Sequence, residues 1–216
     1  MGDARIARGN LTRRTVLQRA AEIASVEGLE NISLGRLAAE VGISKSGIFA
    51  LFGSKEELQL ATVRSAISFY LEHLITPNRQ LPEGIVKVRL LCDSWLRSSM
   101  GRVFPGGCFF FATSVEFAAR PGPVRDLLAG AQREWIHYVE RVIVAAIEAG
   151  ELTADTDPAT LAFELLSLLD GANSTALLHD DDTAYQKAAT AILRRLRSAA
   201  TDPALLCDPP ALLTVA

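Results

Sequence analysis

A short polar segment, Ser-Lys-Ser-Gly at residues 44–47, lies between two apolar stretches of this 216-residue chain. Serine hydroxyls and a lysine ammonium group can bind phosphates and base edges, and a glycine lets the backbone come close to them. Ser33 and Arg36 precede this segment, and Lys55 follows it. Such residues at helix N-termini suit the binding of a polyanion, because free N–H groups and the helix dipole attract negative charge there. Each serine could also be a simple helix cap and each cation a solvated charge.

The distribution of charge supports the same chemistry. The formal net charge is −3, yet the first 20 residues contain five arginines and one aspartate. Residues 61–216 carry 14 Lys and Arg against 18 Asp and Glu. A basic end joined to a mildly acidic body is typical of a protein that meets a polyanion with one face. An arginine-rich tail without function would give the same composition.

Helical periodicity dominates the elements that must position these residues. Apolar residues recur at helical spacing, segments that alternate like strands are missing, and Gly or Pro ends most segments. We predict an all-α fold of about nine helices. The first runs from about Thr12 to Glu27, and a loop at residues 76–82 separates the fourth from the fifth. Two short helices joined at residues 41–44 have the spacing of a helix-turn-helix, whose second helix enters the major groove by its N-terminal end.

Residues 12–60, which include Ile-Ser-Leu-Gly-Arg-Leu-Ala-Ala-Glu-Val-Gly-Ile-Ser-Lys-Ser-Gly-Ile-Phe from residue 32, resemble the N-terminal domain of TetR/AcrR-family transcription regulators. The resemblance implies a homodimer that binds double-stranded operator DNA and a helical C-terminal domain that binds a small effector. It assigns to the DNA-facing surface Ser33, Arg36, Ser44, Lys45, Ser46, Gly47, Phe49 and Lys55.

Two positions depart from the family pattern. Family members usually have Tyr at position 49, whose hydroxyl reaches a phosphate, and often His at position 51. Phe49 and Leu51 cannot make these hydrogen bonds. Arginines 5, 8, 13 and 14 offer compensating phosphate contacts that are independent of DNA sequence.

Most of the aromatic residues lie between residues 69 and 138. A concentration of aromatic and apolar side chains fits an effector cavity for a hydrophobic or aromatic compound, since such pockets are mainly apolar with few polar anchors. The expected scarcity of buried cations argues against a strongly anionic effector. Asp93 and His137 are further candidate anchors. The predicted ligand-binding residues are Trp95, Phe109, Phe110, Glu116, Phe117, Trp135 and Tyr138, although an ordinary core would contain the same residue types.

The last two predicted helices, about residues 158–179 and 183–199, carry apolar stripes that exceed what one thin helical domain can bury. We therefore predict that they form the dimer interface, with small residues that permit close helix approach. Burial within a single chain is the alternative. The interface residues predicted on this basis are Leu161, Leu165, Leu168, Ala172 and Ile192.

Several other classes of protein are disfavoured. The sequence lacks the motifs G-x-S-x-G, H-E-x-x-H and G-x-G-x-x-G, its three histidines are dispersed, and its three cysteines are widely spaced. We therefore expect no catalytic residues, no metal site and no cofactor. A charged N-terminus and the absence of a long uninterrupted apolar run predict a cytoplasmic protein without a membrane partner.

These observations predict a DNA-binding domain at residues 1–60 with a basic arm at residues 1–11. An effector-binding and dimerisation domain follows at residues 61–200, and residues 201–216 form an irregular tail. The predicted function is transcriptional regulation, by a repressor that a small hydrophobic effector releases from its operator. The alternative is a helical ligand-binding or scaffold protein that has lost sequence-specific DNA binding.

Overall fold

The computed structural model describes the backbone of residues 2–206 and the side chains of residue 9 and residues 11–206. A π-helical turn spans Leu71–Ile75, and a 3-10 turn spans Pro203–Leu205. The helices are α1 (Gly2–Glu27), α2 (Leu34–Val41), α3 (Lys45–Phe52), α4 (Lys55–Tyr70), α5 (Thr76–Arg79), α6 (Ile85–Met100), α7 (Phe109–Phe117), α8 (Pro123–Glu148), α9 (Pro158–His179) and α10 (Thr183–Ala199).

The predicted all-α class is confirmed. Between residues 2 and 206, the only extended pairing is an isolated antiparallel bridge that joins Leu152 to Ala200. Nine of the helices in this range have eight or more residues, and α5 adds a single turn. Residues 207–216, which include Cys207 and most of the predicted tail, lie outside the described part of the chain.

Two predicted element boundaries are wrong. Helix α1 begins at Gly2 and not near Thr12, so the predicted basic arm is helical from residue 2 onward. Four of the ten residues 2–11 are Arg or Ala, which favour helix even without an apolar stripe. The predicted loop at residues 76–82 begins only after α5. Pro77 occupies the first turn of α5, where its missing N–H would have no intrahelical acceptor.

The chain forms two compact units, and their boundary differs from the predicted one. The first unit contains residues 1–70 and 104–131, and the second contains residues 71–103 and 132–216. The segment 104–131 joins the first unit because its aromatic side chains share a core with α1 and α4. Phe109 and Ile23 are both buried in this core, and full burial of one phenylalanine contributes about 1.5–3 kcal/mol.

Polar contacts fix α7 and the turn before it to α1 in the first unit. The Gly106 N–H donates to Ser25 Oγ at 3.0 Å. A Cβ at position 106 would lie 1.9 Å from the Ser25 carbonyl oxygen, so only glycine permits this approach. The Glu116 carboxylate accepts the N–H groups of Leu29 at 2.6 Å and Glu30 at 3.0 Å. Its place beside the turn depends on Gly28, whose φ is +89°.

The second unit is built on α6, α9 and α10, which pack together. A buried hydrogen-bond chain joins them: Ser99 Oγ donates to Asn173 Oδ1 at 2.8 Å and lies 3.0 Å from the Tyr185 hydroxyl. Helix α9 is, among the described helices, the one whose length and composition would allow a membrane span. Its buried residues, Leu165 among them, face the core that α9 forms with α6 and α10.

Candidate nucleic-acid interface

Helices α2 and α3 form the predicted helix-turn-helix. Ser33 caps α2 by accepting the Arg36 N–H at 3.1 Å, and Ser44 caps α3 by accepting the Gly47 N–H at 3.1 Å. Gly42 ends α2 at φ +69°, a left-handed conformation that stops the helix and begins the turn to α3. Leu37 is fully buried and anchors the pair to the core, as Ile48 does on α3.

The start of α3 presents its polar residues to solvent. Ser44, Lys45 and Ser46 are all exposed, and the two serine hydroxyls lie 3.0 Å apart. Phe49 follows one turn later with 56% of its surface exposed, unusual for a phenylalanine on a helix that also carries a buried face. The structure therefore leaves these four predicted residues accessible to solvent in the first turns of α3.

Two of the predicted phosphate-binding cations are already paired with carboxylates. The Arg36 guanidinium forms a bidentate pair with Glu27, with one N–O distance of 2.6 Å, and Lys55 Nζ pairs with Glu30. Hydrogen bonding to Arg36 lowers the pKa of Glu27, and the same bonds raise the pKa of Arg36. The hydrogen bond from Lys55, and then that from Gln59, lowers the pKa of Glu30.

The expectation for the N-terminal arginines needs a correction at Arg13. Its Nη1 donates to the Leu51 carbonyl at 2.8 Å, and its guanidinium lies 4.5 Å from the centroid of the Phe52 ring. Arg13 therefore caps the C-terminal end of α3 and is committed to holding α3 against α1. Arg14 is exposed, and the side chains of Arg5 and Arg8 lie outside the described residues.

Sequence comparisons cover both parts of the chain. A family model described as bacterial regulatory proteins, tetR family, matches residues 16–62. Another, described as the tetracyclin repressor-like C-terminal domain, matches residues 84–192, which is half of the chain. The chain belongs to the TetR family of transcriptional regulators. The family and the helix-turn-helix predicted from residues 12–60 are thus confirmed, and the chain is a DNA-binding transcriptional regulator by family. Comparison with curated proteins gives no match.

Solved structures with the TetR fold superpose on almost the entire chain. A TetR regulator from Chloroflexus aurantiacus is 24% identical, with a TM-score of 0.83 over 90% of this chain and 98% of its own. A regulator from Saccharomonospora viridis, solved in complex with choline, is 18% identical and has a TM-score of 0.77. The match covers 89% of this chain and 99% of that regulator. AibR, solved with isovaleryl coenzyme A and operator DNA, is 17% identical and has a TM-score of 0.67. The match covers 84% of this chain and 95% of AibR.

The predicted effector residues divide between the two units of the TetR-family chain. In the first unit, Phe109 and Phe117 are buried and Phe110 is half-buried. Phe109 and Phe110 belong to an aromatic cluster that includes Tyr70. Glu116 is no free anchor there, because its carboxylate is occupied by the two backbone N–H groups after Gly28. Its polar partners were unpredictable from sequence, since they lie more than 80 residues away.

The second unit holds the other three predicted effector residues. Trp135 and Tyr138 stack with ring centroids 6.1 Å apart, and Trp95 is buried on α6. Burial raises the pKa of the Tyr138 hydroxyl, an atom that has no hydrogen-bond partner among the described residues. His137, a candidate anchor, is exposed.

Buried cations are present on α6, contrary to the expectation from sequence. Lys87 donates to Glu83 at 2.6 Å, and Arg89 lies 3.3 Å from Asp93. Each cation thus has a carboxylate beside it, so neither is left to attract an anionic effector. Asp93, the other candidate anchor, is committed to this pair, although burial still raises its pKa.

The predicted dimer residues need a correction, because the single chain already buries them. Leu161, Leu165, Ala172 and Ile192 are each less than 5% exposed, and Leu168 is half-buried. They pack within the second unit, which is the alternative that the sequence left open. The opposite face of α9 is exposed and carries Phe163, Leu177 and Leu178. Sequence periodicity missed this face because α9 is apolar on both sides.

Proposed function

We propose that this TetR-family regulator is a cytoplasmic repressor that binds operator DNA as a homodimer and dissociates when a small apolar effector binds. Two-fold symmetry would place one α3 of each subunit in successive major grooves, about 34–36 Å apart on a pseudo-palindromic duplex. Lys45 and the two serines beside it would contact base edges and nearby phosphates. Ser33, Arg36 and Lys55 would fix the register on the backbone.

The observation that carries this proposal is the exposed first turn of α3. Ser44 uses its hydroxyl to cap the helix and still faces solvent, as Lys45 and Ser46 do. A domain that had only to pack against its neighbours would gain nothing from an accessible helix start in which two serines and a glycine surround one lysine. Direct contact with base edges requires such a start, because bulky groups would hold the backbone away from the groove.

The solved relatives support an effector and a DNA partner. The regulator from Saccharomonospora viridis binds choline, and AibR binds isovaleryl coenzyme A together with operator DNA. For this chain we propose a hydrophobic or aromatic effector, because the cations on α6 are already paired and most of the aromatic residues lie between residues 69 and 138. A compound that binds near Trp95 or Trp135 would change their intrinsic fluorescence, and an inducer would release DNA at the same concentrations.

The exposed face of α9 supports dimerisation. Phe163 and Leu178 are 73% and 79% exposed, and Gly171 between them leaves open space for a neighbouring backbone. Exposed apolar patches of this kind mark protein interfaces. We therefore propose this exposed face of α9, and not the buried stripe that contains Leu165, as the contact between subunits.

The test is DNA binding by three substitutions at lysines. Lys45→Ala should change the preference among duplex sequences by about 1–3 kcal/mol at one base pair. Lys55→Ala should weaken binding to all duplexes alike and reduce the salt slope by about one. Lys187→Ala, at an exposed position on α10, is the control and should change neither property. Unchanged sequence preference for Lys45→Ala would contradict the proposed role of α3.

The second candidate, a helical ligand-binding or scaffold protein without DNA binding, rests on positions 49 and 51. Phe49 has no hydroxyl, and Leu51 offers only its carbonyl, which already accepts from Arg13. A chain of this second kind would bind a selected duplex no better than an unrelated one. The same binding experiment therefore separates the two functions.

A further inference from the structure

We propose that Glu27 and Glu30 compete internally with DNA phosphate, holding Arg36 and Lys55 in ion pairs that operator binding must break. The inference rests on the proposed function, since it concerns the two cations that would contact the DNA backbone. It assigns a role to two carboxylates at the junction of α1 and α2, and neither belongs to the predicted DNA-binding set.

The first pair joins the end of α1 to the start of α2. Glu27 is the last residue of α1, and its two carboxylate oxygens bind the two terminal nitrogens of Arg36. This fork geometry is the one that guanidinium groups also use toward phosphate. Glu27 therefore occupies the donors that a DNA phosphate would need. Glu40 reinforces the arrangement from α2, because it lies 3.9 Å from Arg36 Nε and also binds Arg19.

In the second pair, Glu30 is positioned by contacts beyond its ion pair with Lys55. One carboxylate oxygen of Glu30 binds Lys55 Nζ, and the other accepts Gln59 Nε2 at 3.1 Å. The backbone of Glu30 is fixed as well, since its N–H donates to Glu116. A carboxylate positioned in this way pays little further conformational entropy to keep its lysine, so it is a stronger competitor than a mobile surface glutamate.

Both pairs remain accessible to an incoming phosphate. The four side chains are between 39% and 45% exposed. Exchange of one anion for another at such a surface requires neither unfolding nor helix movement. Each carboxylate thus lowers the affinity for every duplex by a fixed factor, without changing the sequence preference set by α3.

The test is a double-mutant cycle on the Glu30–Lys55 pair, read by fluorescence anisotropy with a duplex that the wild-type protein binds. Glu30→Gln should tighten binding about two- to fivefold, the range expected for loss of an exposed ion pair. In the Lys55→Met background the same substitution should have no effect, because the competitor then has no cation to hold. A cooperative thermal unfolding transition for each variant shows that it is folded.

Glu56→Gln is the matched control. Glu56 is exposed, next to Lys55 in the chain, and outside the ion pairs given by the described residues. It therefore reports simple repulsion between a carboxylate and DNA. A Glu30→Gln effect no larger than that of Glu56→Gln, or one that persists with Lys55→Met, would overturn the inference. Failure of the wild type and every variant to bind any duplex would instead overturn the proposed function.

Discussion

Phe49 presents an aromatic ring to solvent on the same helix that is proposed to read DNA. The ring is 56% exposed on α3, one turn after the capped start of the helix. The family resemblance places a tyrosine hydroxyl at this position, within reach of a phosphate. In the proposed complex with DNA, the missing oxygen removes one hydrogen bond to a charged phosphate, and the helix itself stays intact.

Restoring that oxygen should strengthen DNA binding. Phe49→Tyr adds a hydrogen bond to a charged phosphate, whose net value is typically about 1.5–3 kcal/mol, which corresponds to an affinity gain of roughly 10- to 150-fold. Anisotropy titrations with one duplex measure the gain, and the melting temperature should hardly change because the ring is exposed. Phe111→Tyr, at a half-buried position on α7, is the control and should leave the affinity unchanged. A Phe49→Tyr protein with wild-type affinity would remove position 49 from the interface.

At the scale of the elements, α7 is fixed to the DNA-binding helices by Glu116. Its carboxylate accepts two backbone N–H groups from the turn between α1 and α2, and this turn also carries Glu30. The contact connects a helix of the predicted effector region to the start of the helix-turn-helix. A displacement of α7 would therefore reach the turn directly.

Loss of this carboxylate should destabilise the chain. Glu116→Ala leaves two backbone donors without their acceptor, at a cost of about 1–3 kcal/mol in the free energy of unfolding. Urea denaturation followed by circular dichroism measures the loss. Val115→Ala, at the neighbouring exposed position, is the control and should stay within about 0.5 kcal/mol of wild type. Equal stability of the two variants would show that the Glu116 contact contributes nothing.

Helix α9 supplies a prediction about pH. Burial raises the pKa of Asp170 to about 6. The folded chain therefore binds this proton more tightly than the unfolded chain, whose aspartates titrate near pH 3.9. The contribution of Asp170 to stability is accordingly greatest below about pH 4, falls as the pH rises to about 6, and stays low above that.

Asp170→Asn should remove this pH dependence. We expect its melting temperature to exceed that of the wild type by a few degrees at pH 7–8 and to approach it near pH 4. Melting curves between these values, recorded beside the exposed control Asp155→Asn, measure the difference. A constant gap between Asp170→Asn and wild type across the whole range would contradict the raised pKa.

At the scale of the whole molecule, local signals in the sequence predicted the fold better than they predicted its contacts. The helix-turn-helix was predictable from Ser33, Gly42 and Ser44, because helix caps and left-handed glycines act within a few residues. The helix-forming residues before Thr12 carried no apolar stripe, so periodicity missed the true start of α1. The grouping of residues 104–131 with α1 depends on distant packing that no local pattern encodes.

The site was predictable to the same extent. The polar start of α3 follows from residue types at one helix end, and the structure exposes it as expected. The partners of Arg13, Arg36 and Lys55 do not follow, because they come from elements brought together only by folding. The choice between the two faces of α9 failed for a related reason: both are apolar, and only tertiary packing decides which one is buried.

That choice gives a test of assembly. Phe163→Glu places a charge on the exposed face of α9 and should convert a dimer into a folded monomer in sedimentation experiments. Leu165→Glu instead introduces a charge at a fully buried position and should unfold the chain. A Phe163→Glu protein that sediments as the wild-type dimer would show that the subunits meet elsewhere.

The most direct test of sequence-specific DNA binding is selection of bound duplexes from genomic fragments, followed by sequencing, with the wild-type protein and with Lys45→Ala in parallel. We predict that the wild type enriches a pseudo-palindromic sequence whose half-sites lie about one helical turn or a multiple of it apart. Lys45→Ala should enrich a different or weaker sequence. If the wild-type protein recovers fragments that share no common sequence, the result would contradict sequence-specific DNA binding.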